Sequence, residues 1–213
     1  MNDREVITIK EKSFSRSERR KMIQESLLRV IESKENVVSY DGLPACWMQT
    51  VALLLERKCF DDGHEDDERD TEEAKREDRK QNRWIEAVIK KTKRFSSNSK
   101  DISKIRSSCK IFIGIVQTFV RSIDQKARQI CWSNLLEYLG HPFPKIRLLC
   151  AELVYVALML WSSSVSETDP LFSQDLERAQ NIVSDTQWFV SFSPFDLRSL
   201  SQLSLNDEKG HSR

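Results

Sequence analysis

Apolar residues recur at intervals of three and four through much of this chain, which is the rhythm of amphipathic helices. The strongest run is Ile102, Ile105, Cys109, Phe112, Ile113, Val116, Phe119 and Val120, which predicts a central core helix over 101–121. A second run, Ala127, Ile130, Cys131, Leu135, Tyr138 and Leu139, predicts a helix over 123–139. A third, Ile146, Leu149, Cys150, Leu153, Val154, Ala157, Leu158 and Trp161, predicts one over 143–161. Shorter runs add a helix over 17–33, with Met22, Ile23, Leu27, Val30 and Ile31 inward. Another follows Pro44, with Trp47, Val51, Leu54 and Leu55 inward. Trp84, Ile85, Val88 and Ile89 predict a helix to about Arg94, and Phe172, Leu176, Ala179, Ile182 and Val183 a last firm one. The five glycines and five prolines of the chain are few, which favours helix over a turn-rich β fold.

Punctuation sharpens the boundaries. Ser17 suits the N-cap of the first helix, and Ser122 with Gln125 reads as a capping box. Gly140 reads as a helix stop. His141-Pro142-Phe143-Pro144-Lys145-Ile146-Arg147 then forms a stiff turn into the next helix. Pro142 and Pro144 each fix φ and remove a backbone donor, and Pro144 suits the first helical position, where that donor has no partner anyway. Ile146 and Arg147 follow in the first turn. The resulting hairpin is close to the period of about 40 residues that HEAT and armadillo repeats show. An ordinary αα-hairpin remains the alternative; the Pro-x-Ile-Arg opening favours the repeat. The expected fold is therefore all-α, an armadillo/HEAT-like α-solenoid of stacked helical hairpins.

Composition sets the organisation. With 213 residues, 39 % hydrophobic and 31 % charged, the chain is one large globular domain or two small ones. Residues 1–15 are polar and read as a disordered leader. Residues 16–205 read as the helical-repeat domain, with a linker over 162–168 and one more short helix through Leu205, and 206–213 read as a disordered tail. Residues 61–80 hold eleven acidic and five basic side chains and no hydrophobic period beyond Ala74. Such a segment buries too little apolar surface to offset ordering entropy, so it reads as a flexible insert that is helical at most in its second half. Directly after it the sign reverses: residues 83–110 carry nine basic side chains against two acidic ones. The net charge of the whole chain is only +1.

Lys90, Lys91, Lys93 and Arg94 form the densest basic cluster. A position at a helix C-terminus, where cations complement the macrodipole, is a sufficient structural reason for them. The functional reading is a patch for an acidic partner, meaning a protein surface or, less favoured, nucleic acid with Trp84 and Phe95 to stack. The three histidines, His64, His141 and His211, do not cluster, and His141 is expected to cap or pack at the turn. The five cysteines show no Cys-x-x-Cys spacing, and at least four fall on expected apolar faces. No zinc motif, phosphate-binding loop or dinucleotide fingerprint occurs, and Gly63 falls at the wrong offset for a calcium loop. The expectations are no catalytic residue, no metal and no cofactor. The N-terminus is too charged for a signal peptide, and no apolar run reaches bilayer length. A reducing cytosol is the expected setting and no membrane the expected partner.

Several passages resemble one family. Leu43-Pro44 leads into a helix ending Leu54-Leu55-Glu56-Arg57-Lys58-Cys59-Phe60, similar to a family helix that ends in Cys-Phe. Ser99-Lys100-Asp101-Ile102-Ser103-Lys104 matches a Ser-Lys-Asp-Ile segment. The turn from His141 to Arg147 matches a His-x-Phe-Pro-x-Ile-Arg pattern. Ala151-Glu152-Leu153-Val154-Tyr155 and Val183-Ser184-Asp185-Thr186-Gln187-Trp188 resemble the segments that follow. Together they resemble the C-terminal domain of the tubulin-specific chaperone D family, also called tubulin-folding cofactor D, over roughly 24–188. The family's chain is far longer, and the acidic stretch over 61–80 and the Phe-Val-Ser-Phe-Ser-Pro run after Trp188 depart from it. The resemblance implies a non-catalytic tubulin-binding chaperone component in β-tubulin folding and in assembly or disassembly of the α/β-tubulin heterodimer. It implies as partners β-tubulin, other tubulin-folding cofactors and an Arf-like small GTPase. It further implies GTPase activator activity toward tubulin together with those cofactors, and a cytoplasmic, cytoskeleton-associated location. A generic helical-repeat scaffold and a nucleic-acid-binding helical protein are the alternatives.

Overall fold

The computed structural model describes residues 15–34, 42–60, 72–119, 123–164 and 170–189. They form seven helices: α1 (Arg16–Lys34), α2 (Leu43–Glu56), α3 (Glu72–Ser96), α4 (Ile102–Thr118), α5 (Gln125–Leu139), α6 (Pro144–Ser164) and α7 (Pro170–Asp185). The described residues contain no strand, so the fold is all-α. Residues 1–14 of the expected leader, the first half of the acidic segment, residues 165–168 of the expected linker and everything after 189 lie outside the described residues, and residues 162–164 belong to α6 instead of the linker expected over 162–168.

Short polar side chains start α1, α4 and α5, though not always the ones expected. Ser15, not Ser17, opens α1: its hydroxyl accepts from the Glu18 amide at 3.1 Å, and Glu18 accepts from the Ser15 amide at 2.8 Å. Asp101 caps α4 by accepting from the Ser103 amide at 2.9 Å. Asp124 caps α5, accepting from the amides of Lys126 and Ala127, so the cap sits two residues past the expected Ser122. A carboxylate satisfies two orphan amides there and also favours the positive end of the helix. At the other end of α2, Lys58 takes a left-handed φ of 53°, and the Cys59 amide reaches back to Leu54 O at 3.0 Å, the Schellman form of helix ending.

Helix α4 is the hub that its apolar pattern predicted. It packs against α2, α3, α5 and α6, while α7 packs on α6 and α1 on α2. Ile105, Cys109, Phe112, Ile113, Val116 and Phe119 are buried, and Ile102 at its exposed first turn is not. Gly114 lets α2 come close: a Cβ there would lie 2.9 Å from Leu55 Cβ. A cluster of rings joins Phe60 to Trp84 at 4.8 Å and Trp84 to Phe119 at 6.2 Å. A polar chain crosses the same region: Ser108 Oγ donates to the Tyr138 hydroxyl at 2.6 Å, Tyr138 to Ser96 Oγ at 3.1 Å, and Ser96 to Thr92 O at 2.9 Å. Three helices are thus tied by satisfied buried hydroxyls.

The expected face of α1 is only partly buried. Ile31 is buried and Ile23 and Leu27 half-buried, but Met22 and Val30 stand about half exposed. Trp47 fixes α1 to α2, its indole N–H donating to Leu27 O at 2.9 Å.

Candidate functional site

Helix α3 carries the expected basic cluster, and it is longer than its apolar pattern suggests. It begins at Glu72, twelve residues before Trp84, so the second half of the acidic segment, where the sequence allows a helix, is helical and continuous with α3. Local pairs support this low-hydrophobicity end. Lys75 lies 3.6 Å from Glu72, Lys80 lies 3.2 Å from Glu77, and Lys21 of α1 meets Glu77 at 2.8 Å. Lys21 and Lys80 hold the Glu77 carboxyl below its usual range, with the hydrogen bond from Lys21 the largest cause.

The buried stripe of α3 is Gln81, Trp84, Ile85, Val88, Ile89, Thr92 and Ser96. Opposite it lie Lys90, Lys93 and Arg94, exposed, with Lys91 half-buried at the flank. Lys90, Lys93 and Arg94 therefore share the outer side of the helix, with Lys91 at its edge. Arg76, Arg79 and Arg83 are also exposed and continue that side toward the N-terminus. Sequence reasoning counted Arg76 and Arg79 with the acidic segment and missed them. The seven-residue spacing of Arg76, Arg83 and Lys90 is the signal that marks one face. The aromatic residues expected to stack do not: Trp84 is buried among Phe60 and Phe119, and Phe95 is half-buried edge-on to Trp47.

The turn between α5 and α6 is a different kind of site. Pro142 is exposed, Pro144 opens α6, and Ile146 is fully buried. Arg147 is only 5 % exposed. Its Nε donates to Trp188 O at 2.9 Å, and one Nη donates to His141 O at 2.7 Å and Pro142 O at 3.1 Å. The rigid guanidinium fork suits several carbonyls at once. Trp188 is held in turn, its indole donating to Val183 O at 2.8 Å. His141 does cap the turn: its Nδ1 accepts from the Phe143 amide at 3.1 Å, and its ring packs near Tyr138 and Phe143. Burial first, and the Arg147 charge second, hold its pKa below the ordinary value.

A shallow groove of about 430 Å³ lies between α2, α4 and α6. Leu55, Ile113, Leu149, Leu153 and Leu160 line it, and Lys110 meets Glu56 at 3.4 Å at its edge. Beside it α6 exposes Val156, Met159 and Leu160, each by about half. Periodicity hid this second apolar face, because it assigns only one stripe per helix.

The cysteines are structural where they are buried. Cys109, Cys131 and Cys150 are fully buried, Cys59 is half-buried and Cys46 is exposed. Burial pushes the Cys131 thiol up to about 12. Hydrogen bonding with Cys109, then burial, raises the Cys150 thiol well above its ordinary value, and Cys150 also donates to Leu135 O at 3.3 Å. A thiol kept protonated is a poor nucleophile and metal ligand. Among the described residues, no group of three or more His, Cys, Asp or Glu side chains converges as a metal site, and no helix is long and apolar enough to cross a membrane.

A scan against models of known protein families gives no match, and a search of solved structures gives none either.

Proposed function

We propose that this chain is a protein-binding helical-repeat module acting as a non-catalytic, tubulin-directed chaperone component. The observation that carries the reading is the set of five passages in family order, two of which meet in space. The His141–Arg147 turn and the Val183–Trp188 ending lie far apart in sequence, yet Arg147 bonds the Trp188 carbonyl directly. The packing supports a repeat architecture. Successive helices pair as α1–α2, α3–α4 and α5–α6, while α2, α4 and α6 touch in one row and α3 and α5 in another. That is how stacked hairpins bury faces that no single hairpin can bury. In this reading the role lies in β-tubulin folding and heterodimer assembly or disassembly, alongside other tubulin cofactors and an Arf-like small GTPase. Any GTP hydrolysed is tubulin's own. The setting is cytoplasmic and cytoskeleton-associated.

The test is gel filtration of the full chain with purified α/β-tubulin, with and without the other tubulin cofactors. The expected result is co-elution of the chain with tubulin. Unshifted tubulin in every mixture overturns the reading. The second reading, a generic interaction scaffold, is favoured by the apolar groove beside the exposed face of α6. It predicts that a pull-down recovers another major partner without tubulin or its cofactors.

A further inference from the structure

We propose that the exposed face of α3, from Arg76 to Arg94, is a docking surface for an acidic, extended polypeptide segment of a protein partner. The argument begins with what helix stability would favour. Cations help a helix only within about its last turn, which accounts for Lys93 and Arg94 and for nothing further back. Arg76, Arg79 and Arg83 lie in the N-terminal half, far from the helix end where the dipole would favour them. Arg79 and Arg83 sit four residues apart, as do Lys90 and Arg94, and Arg76 and Arg79 three apart. Like charges at these spacings destabilise an isolated helix. No ion pair among the described residues engages Arg76, Arg79, Arg83, Lys90 or Lys93, whereas Lys75 and Lys80 have carboxylate neighbours. Glu72 stands four residues before Arg76, and Glu86 three after Arg83 and four before Lys90, so spacing offsets part of this repulsion, but no ion pair among the described residues joins them and the outer face keeps a positive excess.

The geometry selects the partner. From Arg76 to Arg94 the face runs about 27 Å at 1.5 Å per residue. An extended chain rises about 3.3 Å per residue, so roughly eight residues would span it. Glu86 is exposed beside Arg83 and Lys90 and interrupts the positive charge, which suits a polypeptide with gaps between its acids better than a continuous phosphate backbone. Stacking of bases has no exposed ring on α3, because Trp84 and Phe95 are packed inward. Groove insertion needs a helix clear on its flanks, and α3 packs against both α4 and α5.

The proposal rests on the chain being a protein-binding module, not on tubulin being its partner. Its test is fluorescence anisotropy of a labelled polyglutamate peptide of about 20 residues against the full chain and a triple charge-reversal variant, Arg79→Glu, Arg83→Glu, Lys90→Glu. The expected result is binding that weakens steeply with salt and falls at least tenfold in the variant. A control reversal on α5 and α6, Lys126→Glu with Lys145→Glu, should leave it within twofold. Should the triple variant fold poorly by circular dichroism, Arg79→Gln with Arg83→Gln serves instead and should weaken binding at least threefold. Equal binding by wild type and variant overturns the proposal. So does a DNA oligonucleotide of matched charge that binds more tightly and displaces the peptide. Failure here leaves co-elution with tubulin unaffected, and failure of that co-elution leaves this surface standing.

Discussion

The α5–α6 turn and the outer face of α3 are the two places where this chain is most individual, and they are built on opposite principles. At the turn, the charge of Arg147 is buried and its donors are spent on backbone carbonyls within the protein. Along the outer face of α3, six cations from Arg76 to Arg94 stand in solvent, several of them three or four residues apart. A buried cation with internal partners fixes the fold and has little left to offer a ligand. An exposed row of cations adds little to the fold and keeps its field for a partner. The two regions should therefore respond to mutation in opposite ways: stability at the turn, binding along α3.

The sharpest way to break this contrast is Arg147→Met. It leaves at least the Trp188, His141 and Pro142 carbonyls without their donor. An unsatisfied buried acceptor costs about 1–3 kcal/mol, so a loss of about 3 kcal/mol is expected in urea unfolding, with water relieving part of the sum. Arg147→Lys should fall in between, since a single ammonium cannot bridge the same carbonyls. Binding of acidic peptide should not change in Arg147→Lys. A stability within 0.5 kcal/mol or so of wild type for the Met variant would sink the account of the turn. Gly114→Ala comes next. Overpacking against Leu55 costs about 1–3 kcal/mol, and alanine's better helix propensity returns about 1 kcal/mol. Thermal unfolding should show a net loss of about 1 kcal/mol, again without effect on peptide binding.

How much of this was legible depends on range. Helix α4 was readable because its apolar positions repeat locally, and its place at the hub followed from the breadth of that face. The start of α6 was readable because Pro144 announces itself. The partner of Arg147 was not, since Trp188 lies 41 residues on and only the fold brings it back. The first turns of α3 were legible only as an allowance: they bury almost nothing, and charge pairs at Glu72 and Glu77 support them where no apolar period marks them. Ser15 and Asp124 displaced the expected caps because capping depends on where the chain first turns helical, which composition leaves open by a few residues. The exposed apolar side of α6 went unseen because its residues alternate with a stronger stripe.

A smaller effect sharpens the other half of the comparison. Arg79→Gln with Arg83→Gln removes two like-charge arginine pairs from the exposed face, Arg79 with Arg83 at i,i+4 and Arg76 with Arg79 at i,i+3, and with them the favourable spacing of Arg83 to Glu86. Stability should stay equal or rise by about 0.2–0.5 kcal/mol, measured by urea unfolding at low salt. Destabilisation by more than about 1 kcal/mol would mean that these arginines serve the fold, and α3 would lose its claim to be a binding face.

The smallest effect separates geometry from charge within the turn itself. His141 accepts the Phe143 amide at Nδ1, which needs that nitrogen unprotonated. Its pKa is depressed in the fold by burial and by Arg147. Below the ordinary histidine value near 6.5 the unfolded chain takes up a proton that the folded chain refuses. Unfolding therefore becomes easier as pH falls through 6.5 toward the folded pKa, and this contribution is constant above 6.5. Asparagine can place a side-chain oxygen on the amide two residues ahead, as in an Asx turn, without titrating. His141→Asn should keep the melting temperature near pH 8 within a degree or so of wild type and flatten its decline between pH 7 and 5.5. If the decline persists unchanged, the pH sensitivity comes from another group. If Asn lowers the pH 8 value as much as Ala does, the Nδ1 contact contributes nothing to the turn, and the packing of the ring against Tyr138 and Phe143 is what His141 supplies.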